Sequence, residues 1–131
     1  MIYRVSLRAA SVLCVLHAAM HQVGMMQSPA SDAERAVISS MGAFTANVMG
    51  STRSYLEFYS GLGVLLTVTL VAFGAVLWVL SRAESSAHAQ TRSLLLLCGL
   101  TFVAFTAVSI RYFFIAPIVV EALIAALVSL A

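Results

Sequence analysis

Residues 61–80, GLGVLLTVTLVAFGAVLWVL, form an uncharged apolar run long enough to cross a lipid bilayer. A hydrocarbon core about 30 Å thick needs about 20 helical residues at 1.5 Å each. A second run, residues 93–110, is bounded by Arg92 and Arg111. A third, residues 113–131, is interrupted by Pro117 and Glu121. Composition agrees: 62% of the 131 residues are hydrophobic and 9% are charged, against roughly 25% charged in an ordinary soluble domain. A soluble protein this apolar would expose large adhesive patches.

The net charge of +2, with no basic stripe or aromatic platform, argues against a nucleic-acid partner. All seven basic residues are arginine. Cys14 and Cys98 both fall inside apolar runs without a CxxC pair, so buried, inert thiols are expected.

The first apolar segment, residues 5–26, has a basic start and a short apolar core, which is also the pattern of a cleavable signal peptide. Its continuation through Val23 to Met26, and the interruption by His17 and His21, favour a retained helix. Expected spans are residues 5–26, 54–81, 92–112 and 115–131. Ala116 precedes Pro117 and is disfavoured in helical geometry. If Pro117 begins the fourth span, that helix is short, about 22 Å.

Residues 29–49 read as a further helix. Ser28 would cap it, Pro29 fits its first turn, and Asp32 and Glu34 suit its positive end. Ala33, Val37, Met41, Phe44 and Val48 make one apolar stripe, and Gly50 would stop the helix in a left-handed conformation. Its polar back face suits the membrane surface or the mouth of a bundle. Ser54–Glu57, SYLE, matches a capping box opening the next helix. The expected fold is all-α: a membrane-embedded antiparallel four-helix bundle with this amphipathic helix between helices one and two.

Arginine placement narrowly favours an inside N-terminus. Arg4, Arg8, Arg82 and Arg92 would then be cytoplasmic, with Arg35, Arg53 and Arg111 outside. His88 would sit in a solvated cytoplasmic linker without a role.

With four antiparallel crossings, His17, His21, Arg53, Glu57, Arg111 and Glu121 share one half of the membrane. Ionisable groups facing lipid cost a few kcal/mol each, so these should face the bundle or a wet cavity. His17 and His21 align with Cys14 and Gly24, and Glu57 with Ser60, Gly61, Thr67 and Gly74, small residues that let membrane helices approach closely.

Several chemistries fit these groups. His17 and His21 at i,i+4 suit interhelical hydrogen bonds, or zinc or copper ligation completed by Glu57 or Glu121. Ala18 rules out HExxH, and Met20, Met25 and Met26 could be soft copper ligands but suit packing better. Arg53 and Glu57 are spaced for an ion pair. Glu121 would pair with a cation, Arg111 or a histidine, or take up a proton.

Two stretches, RSYLEFYSGLG at residues 53–63 and RYFFIAP at residues 111–117, resemble motifs of an uncharacterised family of small bacterial four-helix membrane proteins, typified by a hypothetical Leptospira membrane protein. Arg53, Ser54, Tyr55, Glu57, Phe58, Gly61 and Gly63 fit the first motif. Arg111, Tyr112, Phe113, Phe114 and Pro117 fit the second. The resemblance implies a fold and a membrane location, and brings no established reaction or catalytic residue.

Three functions follow as expectations. The first is an intrabundle polar pocket for a lipid-soluble molecule such as a quinone, isoprenoid or sterol-like compound. Its charged groups would orient the ligand, and Tyr55, Tyr59, Tyr112, Phe113 and Phe114 would wall it. The second is a membrane isomerase or cyclase using proton transfer by Glu57, Glu121, His17 or His21, with one carboxyl keeping its proton at neutral pH. The third is a structural or accessory subunit of a membrane complex. No cofactor is required by the sequence. The expected partners are the lipid bilayer, of a bacterial inner membrane, and a hydrophobic small molecule, with a homo-oligomer or a membrane partner also open.

Overall fold

The computed structural model describes residues 2–82 and 89–131; His88 and most of its linker lie outside them. The described residues form five helices and one two-stranded hairpin: α1 (Ile2–Met25), α2 (Asp32–Ala43), β1 (Thr45–Val48), β2 (Ser51–Ser54), α3 (Tyr55–Leu80), α4 (Ala89–Tyr112) and α5 (Ile115–Ser129). The protein is therefore mostly helical, as its apolar runs require. Among the described residues, three helices are long and apolar enough to cross a membrane: Ile2–Met25, Tyr55–Leu80 and Gln90–Tyr112. The fourth expected span folds as α5, whose 15 residues extend about 22 Å.

The connection between α1 and α3 departs from the expected long helix. Ser31, not Ser28, caps α2: its hydroxyl accepts from the Glu34 N–H, and Glu34 Oε2 accepts from the Ala30 N–H. The helix stops at Ala43, and Thr45–Val48 pairs antiparallel with Ser51–Ser54. Val48 faces Ser51 in the register, which leaves Met49 and Gly50 as a two-residue loop. Both have positive φ, 52° and 84°, the geometry that matches the twist of a tight hairpin. Gly50 is left-handed as expected, but it reverses a strand instead of ending a helix. The Asn47 side-chain oxygen accepts from the Gly50 N–H at 3.2 Å and braces the turn. Thr45, Val48 and Thr52 are β-branched, which favours the extended state over a continued helix.

The chain divides into two compact units. The first comprises Met1–Ala18 and Thr69–Ala131, and the second Ala19–Val68. In the first unit each helix buries one stripe. Leu7, Ala10, Ser11, Cys14 and Ala18 on α1 are buried, as are Leu70, Gly74 and Leu77 on α3. On α5 the stripe is Glu121, Ile124, Ala125 and Val128, the i, i+3, i+4, i+7 spacing of a single helix face. Phe73, Phe102 and Phe105 meet edge to face, with centroids 5.4–6.4 Å apart, tying α3 to α4.

In the second unit, the hairpin carries the chain directly into α3. The Tyr55 N–H donates to the Phe44 carbonyl, and the two rings pack edge to face at 5.0 Å. The side chain of Met25 occupies the space beside Gly63, where a Cβ would meet its terminal methyl at 2.6 Å. Met25 thus serves as packing against α3.

Candidate functional site

The second unit holds a polar contact between the end of α1 and the first half of α3. His21 Nδ1 lies 3.0 Å from Thr67 Oγ1, which also lies 3.2 Å from Gln22 Oε1 and 3.2 Å from the Gly63 carbonyl. Threonine has one hydroxyl proton. While it is donated to Gln22 or Gly63, the contact with His21 is made by Nδ1–H donating to the Thr67 oxygen. His21 is thus an interhelical hydrogen-bonding histidine.

At the entrance of α3, Ser54 and Glu57 form the reciprocal capping box. The Ser54 N–H donates to Glu57 Oε2 at 2.6 Å, and the Glu57 N–H donates to Ser54 Oγ at 3.2 Å. Arg53 makes no ion pair with Glu57. It lies in β2, where helical i,i+4 spacing does not apply, and its guanidinium donates to the Thr52 carbonyl. The one ion pair among the described residues is Arg35 with Asp32. Tyr55 and Tyr59 are exposed.

In the first unit, Glu121 is 6% exposed and Ser109, across from it on α4, is 3% exposed. Ser109 is the polar side chain that interacts with the carboxyl, while Oε2 is buried with no hydrogen-bond partner among the described residues. The expected pairing of Glu121 with Arg111 does not occur: Arg111 is exposed, with its guanidinium 5.4 Å from the Tyr112 ring centroid. Pro117 lies within α5, which starts at Ile115, where the expected span begins. Glu121 therefore falls on the second turn, facing α4. Tyr112, Phe113 and Phe114 are exposed at the turn between the helices, the placement of interfacial aromatics more than of pocket walls. His17 is half-buried on α1, and Cys14 and Cys98 are buried free thiols. Among the described residues no three His, Cys, Asp or Glu side chains gather as a metal site.

The first unit also carries a groove of about 490 Å³ between α1 and α3. Its walls include Val12, Val15 and Leu16 on α1, and Val71, Ala75 and Trp78 on α3. Sequence reasoning missed this feature, along with the part played by Ser109. The available signal was the spacing: residues 8, 12, 15 and 16 share one face of α1, and residues 71, 75, 78, 79 and 82 share one face of α3. No protein-family model, curated protein or solved structure matches this chain.

Proposed function

We propose that this chain is a small integral membrane protein that binds a lipid-soluble molecule carrying a hydroxyl or similar donor, with Glu121 as the orienting group. The observation that carries this reading is the buried Oε2 of Glu121, without a partner among the described residues. Each unmet hydrogen bond of a buried polar group costs about 1–3 kcal/mol, and a carboxyl within an apolar helix is a functional candidate by default. A quinol, an isoprenoid alcohol or a sterol would supply the missing donor and suits an apolar surrounding. The motifs around Arg53 and Arg111 support membership in the small bacterial four-helix family. With the arginine count, they support an inner-membrane location with the N-terminus inside.

The test is native mass spectrometry of the full chain in mild detergent, with geranylgeraniol and its hydroxyl-free counterpart squalene as probes. The alcohol should bind and squalene should not, and Glu121→Leu should weaken the alcohol by roughly tenfold or more. Equal binding of both probes, or an unaffected Glu121→Leu variant, would sink the proposal.

A second reading, an accessory subunit, draws on a different observation. The most apolar windows of α1, α3 and α4 bury only 33%, 17% and 28% of their residues. These faces need lipid or a protein neighbour, and copurification of a second chain with the extracted protein would favour the neighbour.

A further inference from the structure

We propose that the groove between α1 and α3 is a binding site for an anionic phospholipid, its acyl chain along the groove and its phosphate at Arg8 and Arg82. The proposal needs the membrane location but is independent of Glu121 and its ligand.

Two stripes make the site. On α1, Arg8 lies one turn before Val12, on the face that continues through Val15 and Leu16. On α3, Val71, Ala75 and Trp78 lead to Arg82, just past the end of the helix. The apolar walls therefore finish in one cation on each side. Both cations meet at Trp78: the Arg8 guanidinium lies 5.5 Å from the indole centroid and that of Arg82 lies 5.8 Å from it. Trp78 is 39% exposed, and Tyr3 donates to the Leu80 carbonyl at 3.0 Å in the same region.

The charge of the occupant follows. Neither Arg8 nor Arg82 makes an ion pair among the described residues, and cation–π contact leaves each guanidinium its full charge and fork of donors. Guanidinium forks match phosphate oxygens. A free phosphate would leave the apolar walls uncovered, whereas a phospholipid covers the groove and the cations together. The groove volume lies within the ordinary range for small-molecule sites. From Val71 to Val79 it runs about 12 Å along α3, room for part of an acyl chain, and Arg8 lies one turn beyond Val12 on α1. Trp beside Arg is also the composition of a headgroup-level anchor.

Trp78 is the only tryptophan of the chain, which supplies a reporter inside the site. The experiment reconstitutes the full chain and measures Trp78 quenching by chain-brominated phosphatidylglycerol and by chain-brominated phosphatidylcholine at equal mole fraction. Arg8→Gln/Arg82→Gln and Ala75→Phe are measured in parallel. Both variants change exposed positions, and Ala75→Phe fills the groove while leaving the arginines. The wild type should be quenched preferentially by phosphatidylglycerol. The double variant should lose that preference by roughly 30-fold in relative affinity, from two arginines near an anionic lipid. Ala75→Phe should reduce quenching by the brominated chain. Equal quenching of the wild type by the two lipids overturns the proposal, and that arm needs no variant to fold. So does abolition of the preference by millimolar inorganic phosphate, which would mark a simple anion site. A homodimer that shields Trp78 from both lipids overturns it as well.

Discussion

The Ser11 hydroxyl donates a 2.7 Å hydrogen bond to the carbonyl oxygen of Gly74. Both residues are buried, and a Cβ at position 74 would lie 3.2 Å from the Ser11 carbonyl oxygen and 3.3 Å from the Cys14 Cβ. The absence of a side chain at Gly74 is thus what brings two apolar helices to backbone contact. Close approach by small residues, combined with an interhelical hydroxyl bond, is how helices associate where water supplies no hydrophobic drive.

Gly74→Leu should therefore separate α1 from α3. Overpacking of this kind costs about 1–3 kcal/mol, whereas Ser11→Ala should cost only about 0.6 kcal/mol, the average for interhelical hydrogen bonds in membranes. Equilibrium unfolding in mixed micelles measures both. A Ser11→Ala loss as large as that of Gly74→Leu would mean that the hydrogen bond, not the close approach, holds the pair.

The entry of α3 distinguishes a cap from an ion pair. Ser54 and Glu57 satisfy each other's backbone N–H groups, so Ser54→Ala and Glu57→Ala should each cost about 0.5–2 kcal/mol. Because the bonds serve one structure, the double variant should cost less than the two single losses added. Arg53→Ala should change stability by less than about 0.5 kcal/mol, since Arg53 bonds only a strand carbonyl. Thermal unfolding of the four variants gives the comparison. A large Arg53 effect would restore the ion pair that the geometry lacks.

The sequence revealed its helices where a single physical requirement dominated. Residues 61–80 form an uncharged apolar run of membrane-spanning length, for which a helix satisfies every backbone group internally, and the Ser54–Glu57 box needs only four residues to declare itself. The reading of residues 29–49 as one helix held for Asp32–Ala43 and failed from Phe44 onward, where an apolar stripe at helical spacing ran on through Phe44 and Val48. Those two residues also suit a strand, and the turn at Met49–Gly50 decided between the states. Its first residue is a methionine, which no turn rule flags. The candidate site was legible in its ingredients but less so in its pairings. Glu121 stood out as a carboxyl in an apolar run, yet its neighbour is Ser109, because α4 and α5 form a tight hairpin whose facing positions depend on where α5 starts.

Met49 offers a gain in stability. It has a φ of 52° and is fully exposed, so it bears left-handed strain with no burial in return. A residue other than Gly, Asn or Asp costs roughly 1–2 kcal/mol in this conformation. Met49→Asn creates the favoured Asn-Gly turn and should protect the hairpin amides by about fivefold, equivalent to roughly 1 kcal/mol. Gly50→Ala, at φ 84°, should act in the opposite direction. Amide hydrogen exchange at Val48 and Ser51 reads both changes, and equal exchange in all three proteins would show that the turn does not limit hairpin opening.

Glu121 joins stability to function in one substitution. Its carboxyl is buried, with Ser109 serving it and Oε2 left without a partner among the described residues. Replacing a buried, incompletely satisfied ionisable group by an apolar residue of similar size is often neutral or stabilising by about 1–4 kcal/mol. Glu121→Leu should therefore raise the unfolding midpoint in detergent while weakening binding of the alcohol probe by roughly tenfold or more. A group retained for ligand recognition is expected to show that opposition, since active sites hold polar atoms that packing alone would reject. If the variant instead unfolds more easily, the carboxyl contributes to the α4–α5 hairpin itself. Ser109→Ala then becomes decisive: a matching loss would make the Ser109–Glu121 pair a structural bond, and the membrane-ligand reading would lose its orienting group.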